Sequence, residues 1–499
     1  MVPTKGNPVA TQAWRLELPI HECYHAAMTR AVRFWPLGLT VLLVSIGAAI
    51  VRARHPVPNS DTRLASVSQL RAYVPKELLV DVPEDKAGEA RFMDLIKLSK
   101  RLDQHDVLLL MDNWSSLAYF HEGHKPKKMV TDAEQLAIVN RIWKANPTLV
   151  SDLSAILRSG PFAMPAGEPD SYVFPVNLMR AIAFSADSYF WNRQFKLGAE
   201  MAAVAYRLGD RLVAAKGGVT AWMANSILAG IATATTDEFS KADVPADCCA
   251  AILAAAEPAA KSDETLARAI QTDFVRDKLP DLAQDKPKLT GAGTYDAIET
   301  TKLAAHGALV AMANVRGPFG KADESYFDRL LQDANVVVMQ ISGDDYRGPY
   351  KSLDLCTACG ELLDQVNPAK PPSPETPTIK LRLNGVHNSL GRMELGMLFY
   401  DSLPLESCNQ RATRDLTRIL LASRIYRASH GGKLPDSTAG FVPILGAWPT
   451  NPYDGKPFTY LPTQEKVYGV GQDLIDHGGD VGAGIQKGKD AGISLKLKD

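Results

Sequence analysis

The sequence predicts a mainly α protein: one N-terminal transmembrane helix, a solenoid-like bundle of helical hairpins, and a small C-terminal α+β module. Three observations carry that expectation. An uncharged apolar run stands near the start. Helix-period patterning fills the middle, from about Leu64 to Val366. The end turns to proline and glycine punctuation with short β segments. The 499 residues leave room for two or three domains. With 46% apolar and 22% charged residues, wholesale disorder is excluded. Basic and acidic residues, 55 and 56, nearly cancel. The chain lacks the global basic field of a nucleic-acid binder, and no nucleic-acid partner is expected.

Residues 1–33 read as an N-terminal tail, with Met28 as an alternative start. Phe34 to Val51, FWPLGLTVLLVSIGAAIV, holds no charge in 18 residues. As a helix it extends ~27 Å at ~1.5 Å per residue, close to a hydrocarbon thickness of ~30 Å. A buried core helix of this length would carry a polar stripe, and this segment has none. Arg30, Arg33, Arg52 and Arg54 flank it, and Trp35 stands at one edge, where an indole suits the interface. The lipid bilayer is therefore the first expected partner, through residues 34–51. A retained anchor makes a single-pass inner-membrane protein with its bulk outside the cytoplasm. Val51-Arg52-Ala53 also suits a signal peptidase, and cleavage near Ala53 would leave a periplasmic or secreted protein.

Residues 61–366 read as a helical domain. Ala133 to Lys144 and Pro147 to Arg158 form a helical pair, with Asn146-Pro147 as stop and restart. Leu197, Met201, Val204, Leu208 and Leu212 make one apolar stripe, ended by Gly217-Gly218. Thr220 to Thr233 and Cys249 to Lys261 are rich in small residues, which allow close helix approach. Further helices are expected at Thr301 to Asn314 and Glu324 to Met339. No fixed repeat period emerges. Residues 367–380 hold Pro368, Pro371, Pro372, Pro374 and Pro377, which block helix and sheet alike and mark a linker.

Residues 381–499 form the final module. Leu390 to Tyr400 reads as helix. Ser407 to His430 reads as an amphipathic helix with Leu416, Ile419, Leu420 and Tyr426 on its apolar face. Arg411, Arg414, Arg418, Arg424 and Arg427 populate the other faces. Gly431-Gly432 stops it. Pro457 to Leu461 and Lys466 to Val470 are candidate strands joined by Pro462-Thr463-Gln464-Glu465.

SRIYRASHGGKLPDS, WPTNPYDGKPFTYLP and VYGVGQDLIDHGGD follow one another here. Together they resemble the globular head of type II secretion major pseudopilins, in which a helix leads to a Gly-x-x-Pro turn, a Pro-x-(Asp/Asn)-Pro-x-x-Gly segment and a small sheet. The matching positions are Tyr426, Gly432, Pro435, Pro449, Asn451, Pro452, Gly455, Tyr460 and Gly471, within about 95 of 499 residues. The wider plan resembles membrane-anchored bacterial proteins that carry no established activity. The departure is large: no prepilin-peptidase site precedes the apolar helix, and ~300 residues separate anchor from head, so pseudopilin-like polymerisation is not expected. The resemblance implies calcium in a C-terminal loop, where Asp473, Asp476 and Asp480 would be its carboxylate ligands. Calcium takes six to eight oxygens, and a glycine-rich loop can add carbonyls to carboxylates.

Other chemical signals are weaker. His21-Glu22-Cys23-Tyr24-His25 matches HExxH but precedes the apolar segment, with no surrounding fold to supply a third zinc ligand. His121-Glu122-Gly123-His124 lacks the spacing that puts two imidazoles on one helical face, and Lys125, Lys127 and Lys128 follow it. Cys356-Thr357-Ala358-Cys359 is a lone CxxC on a helical segment, read as a local disulfide or as two thiols. Cys248, Cys249 and Cys408 complete a sparse set that makes no disulfide framework. No phosphate-binding loop, nucleophile elbow or dinucleotide fingerprint occurs. The expectation is a non-catalytic interaction or scaffold protein of the envelope, with a secretion-machinery component as partner. The alternative is an exported hydrolase whose active site is scattered along the chain.

Overall fold

Local signals decide where the helices start and stop. Ser66 and Gln69 form a reciprocal capping box, the Ser66 amide donating to Gln69 Oε1 at 2.8 Å and the Gln69 amide to Ser66 Oγ at 3.4 Å. Asp85 caps the next helix by accepting from the Gly88 amide at 2.8 Å. The computed structural model describes residues 63–80, 85–103, 105–107, 110, 132–165, 173–215, 218–241, 243–257, 262–283, 295–316, 388–396, 402–481 and 489–496, all within the unit Asn59–Asp499.

The chain is mainly helical. α1 (Val67–Arg71), α2 (Lys86–Ser99), α3 (Asp132–Ala145) and α4 (Leu149–Arg158) lead to a long hairpin, α5 (Val173–Trp191) and α6 (Phe195–Val213). α7 (Gly218–Lys241) and α8 (Ala246–Ala255) follow, then α9 (Ser262–Asp273), a π-helical turn (Phe274–Lys278), α10 (Leu279–Ala283) and α11 (Ala297–Arg316). The C-terminal part holds α12 (Ser389–Gly396), the 28-residue α13 (Ser402–Ser429), α14 (Val442–Leu445) and three strands, β1 (Thr459–Leu461), β2 (Lys466–Gly469) and β3 (Ala491–Ser494).

The expected helical pair is α3 and α4, and the expected apolar stripe is the buried face of α6. Expected helix Cys249 to Lys261 ends sooner, at Ala255. Pro258 lies just beyond, and the residue before a proline is pushed out of the helical region. The transmembrane segment 34–51, both histidine motifs, Cys356-Cys359, the segment 324–339 and the linker 367–380 lie outside the described residues. Among the described residues, no helix is long and apolar enough to cross a membrane.

Two apolar cores form. The larger joins α2 to α8 with α13 and the sheet, through residues such as Phe92, Ile182, Phe190, Phe239, Ile419 and Phe458. The smaller joins α1 with α9 to α12, around Leu70, Phe274, Tyr295 and Leu390. α5 is buried on nearly every side, which is why its sequence shows almost no polar face. Two glycines let α6 come close to its neighbours. A Cβ on Gly198 would sit 2.4 Å from the Phe190 ring, and one on Gly209 would sit 2.5 Å from Met179 Cε and 2.7 Å from Leu228.

The sheet has the order β1-β2-β3 and is antiparallel throughout, with Tyr460 opposite Val467 and Tyr468 opposite Gly492. β1 and β2 are the two expected strands. Their link is a 3-10 turn, Pro462–Gln464, closed by Glu465 at φ +50°. β3 was not expected: four residues, Ala-Gly-Ile-Ser, are too short and too small to signal a strand.

Candidate functional site: a buried arginine seam and an acidic loop

The arginines of α13 do not line a solvated face. Arg414, Arg418 and Arg424 are buried. The apolar stripe expected of this helix is present, and its other faces are covered as well. α7 and α8 pack against them.

Arg414 makes the tightest of these contacts. Its side chain is 5% exposed and pairs in a fork with Asp210 of α6, Nη1 to Oδ1 at 2.7 Å and Nη2 to Oδ2 at 2.9 Å. The same guanidinium donates from Nε to the Ala256 carbonyl at 2.6 Å and from Nη2 to the Glu257 carbonyl at 3.0 Å. A cation thus satisfies carbonyls that the end of α8 leaves open. It also lies over the Tyr206 ring, 5.2 Å from the centroid. Burial disfavours its charge, but the Asp210 pair outweighs burial and raises its pKa.

Further bonds run between α13 and α7, among them the 2.8 Å contact of the Thr236 and Thr417 hydroxyls. Thr417 Oγ1 donates to the Ala232 carbonyl at 3.1 Å, and Arg424 Nε donates to the Phe239 carbonyl at 3.1 Å. The two terminal nitrogens of Arg424 are buried with no acceptor. Burial, then the neighbouring Arg427, lower its pKa.

The β part is tied to the same helix. Tyr453 hydroxyl and Asn409 Oδ1 are hydrogen-bonded, and Gln472 Nε2 donates to that Asn409 oxygen at 3.1 Å. The residues that carry the pseudopilin resemblance act as local punctuation. Asn451 is buried; its amide donates to the Lys456 carbonyl at 2.7 Å and its Nδ2 to the Val470 carbonyl at 3.0 Å. Tyr460 hydroxyl donates to the Pro435 carbonyl at 2.8 Å, pinning the turn after α13 to β1. A Cβ on Gly471 would meet the Lys489 carbonyl oxygen at 2.0 Å, so only glycine fits there.

Asp473, Asp476 and Asp480 share one loop, Gly471–Val481, but their carboxylates serve different partners. Asp473 accepts from the Ile475 amide at 3.1 Å and pairs with His477 Nε2 at 2.9 Å. Asp476 accepts from the Gly478 amide at 2.7 Å. Asp480 pairs with Lys489 Nζ. Sequence reading missed the carboxylate at the centre. Asp490, fully buried, accepts from the His477 amide at 3.0 Å and the Gly479 amide at 2.6 Å. No sequence signal marked it, because its partners lie more than ten residues earlier.

Among the described residues, no three His, Cys, Asp or Glu side chains gather where a metal ion could be held. In this arrangement the three loop aspartates are engaged by Lys489, His477 and backbone amides, and they hold a backbone shape. Leu474, next to Asp473, takes φ +59°, and it and Ile475 stand exposed at the loop tip. The carboxylates satisfy the amides that this conformation turns away from one another.

Chemistry is sparse elsewhere. Cys248 and Cys249 are free thiols, Cys408 is buried as they are, and burial pushes the Cys249 thiol up to about 12. Such thiols are poor nucleophiles. A surface groove of about 360 Å³ between α8, α13 and α14 is lined by Ala250, Leu253, Ala254, Ile425, Ile444 and Leu445, with Glu257 and Arg418; it contains no histidine, cysteine or serine. Comparison with protein-family models, with curated proteins and with solved structures gives no match.

Proposed function

We propose that the chain is a membrane-anchored envelope scaffold, a non-catalytic interaction protein that displays a pseudopilin-like module on a helical body. Residues 34–51 would hold it in the inner membrane, with residues 61–499 on the extracytoplasmic side. Its partner would be a protein of the envelope, of the type II secretion kind that the C-terminal module resembles.

The observation that carries this reading is the seat of α13. Its buried arginine, Arg414, is bonded to α6 and to the end of α8, so the module is fixed to the body by charge as well as by apolar packing. A module fixed in this way suits presentation to a partner. The acidic loop, with Leu474 and Ile475 exposed at its tip, is the part that would meet it.

Two measurements on the tagged full chain test the proposal. Membrane fractions should hold it against salt and release it to detergent, and protease added to intact spheroplasts should cut the body. Recovery in the soluble fraction without export, or full protection in spheroplasts, would remove the envelope reading. Capture from mildly solubilised membranes should then return secretion components, and capture of none of them in several detergents would remove that link.

A further inference from the structure

α1 and the turns after it bury one side and expose a basic, partly apolar remainder. Leu70, Val74 and Leu78, four residues apart, enter the smaller core. Arg63, Arg71 and Lys76 are exposed, and so are Leu64 and Tyr73, at 42% and 39%. Lys302 of α11 joins them. It is exposed, and its Nζ stands 4.9 Å from the centre of the Tyr73 ring. The acids around this surface are partly engaged. Asp296 accepts from the Ile298 and Glu299 amides at 2.9 and 3.0 Å, and Glu299 pairs with Arg392. Glu77 and Asp281 are exposed, so four cations face two open carboxylates.

Cations beside an exposed tyrosine and leucine match the edge of a bilayer, where headgroup phosphates border hydrocarbon. Position in the chain supplies the bilayer. The proposed anchor ends at Val51, twelve residues before Arg63, and a fully extended chain of that length reaches ~40 Å at most. We propose that this surface rests on the anionic phospholipid headgroups of the bilayer that holds the anchor. Arg63, Arg71, Lys76 and Lys302 meet phosphates, and Leu64 and Tyr73 sit at the level of the interface. The inference rests on the membrane reading of residues 34–51. It adds a second contact, which ties the smaller core to lipid through α1.

The full chain in lipid nanodiscs tests it, with discs of phosphatidylcholine compared with discs that also hold phosphatidylglycerol. Lysine acetylation by a water-soluble ester is followed residue by residue by mass spectrometry. Lys76 and Lys302 should react about fivefold more slowly in the anionic discs, the factor that attraction of one cation supplies. Lys456, whose side chain is 79% exposed in the β part, should react equally in both. Arg71→Glu combined with Lys302→Glu, both at exposed positions, should return Lys76 to its rate in neutral discs with circular dichroism unchanged. Salt at about 0.5 M should do the same. Equal rates in the two lipids, with the chain retained in the discs, would overturn the proposal and leave the anchor standing. Protection unaltered by the double change, or equally strong in detergent, would overturn it in favour of a protein contact. Failure of the chain to enter the discs would remove the anchor and this proposal with it.

Discussion

The seam along α13 and the loop Gly471–Val481 are both rich in charge, yet they use it in opposite ways. In the seam, Arg414 reaches partners more than 150 residues away in sequence and removes them from water. In the loop, Asp473 and Asp476 bond amides two residues on, at the surface. Long-range buried charge fixes one element to another; short-range exposed charge fixes a backbone shape. The difference teaches that the arginines of α13 belong to the architecture, whereas the aspartates of the loop set what the protein presents.

The largest expected effect breaks the seam. Arg414→Met would leave the Asp210 carboxylate and the carbonyls of Ala256 and Glu257 without their donor. Breaking a buried pair from one side costs about 3–5 kcal/mol. Urea unfolding followed by circular dichroism should show this loss, and a change below about 1 kcal/mol, as for exposed pairs, would put Arg414 in the same class as the loop.

Asp490→Asn comes next, because its buried carboxylate accepts two amides of the loop, those of His477 and Gly479. It should cost about 1–3 kcal/mol, the range for leaving a buried amide unsatisfied. The signature is local: amide exchange should speed up at His477 and Gly479 and not in α13. Uniform acceleration through α13 would mean that loop and seam unfold together.

Arg424→Met sharpens the comparison within the seam. Its terminal nitrogens are buried without acceptors and only its Nε bonds, to the Phe239 carbonyl, so the change should cost no more than about 1 kcal/mol, the net worth of that one bond. A loss comparable to that of Arg414→Met would mean that the terminal nitrogens of Arg424 have acceptors in solution.

The smallest effect is on pH. The bond to Asp473 raises the His477 pKa, so its contribution is complete below the ordinary histidine value and is lost as pH rises through the raised one. Burial works against Asp473, but the His477 and Ile475 bonds outweigh it and hold its carboxyl below the usual range. That contribution is present above the ordinary aspartate value and is lost as pH falls through the lowered one. The loop should therefore be tightest between the two ordinary values and loosen at neutral to mildly alkaline pH. Amide exchange of Ile475 across that range reads it, and a flat profile from acid to alkaline pH would exclude the pair.

Much of the fold was legible in the sequence, for identifiable reasons. Asn146-Pro147 placed the break between α3 and α4, and the stripe from Leu197 to Leu212 placed the buried face of α6. Pro457 to Leu461 and Lys466 to Val470 placed two strands, because β-branched and aromatic residues alternate there. The burial of Arg414, Arg418 and Arg424 was not legible. An arginine on the far side of an apolar stripe reads as solvated until its partner is known, and Asp210 lies on another helix far earlier in the chain. Asp490 and β3 were hidden in the same way, since neither has a local pattern.

The central claim is that the C-terminal module and the helical body share one core through α13. A site-specific protease sequence inserted between Pro368 and Pro377, cut in the purified chain, tests it directly. After cutting, the two pieces should co-elute in size exclusion under native conditions, and Arg414→Met should release the C-terminal piece. Elution of the C-terminal piece alone, with native circular dichroism and no dependence on Arg414, would contradict the claim.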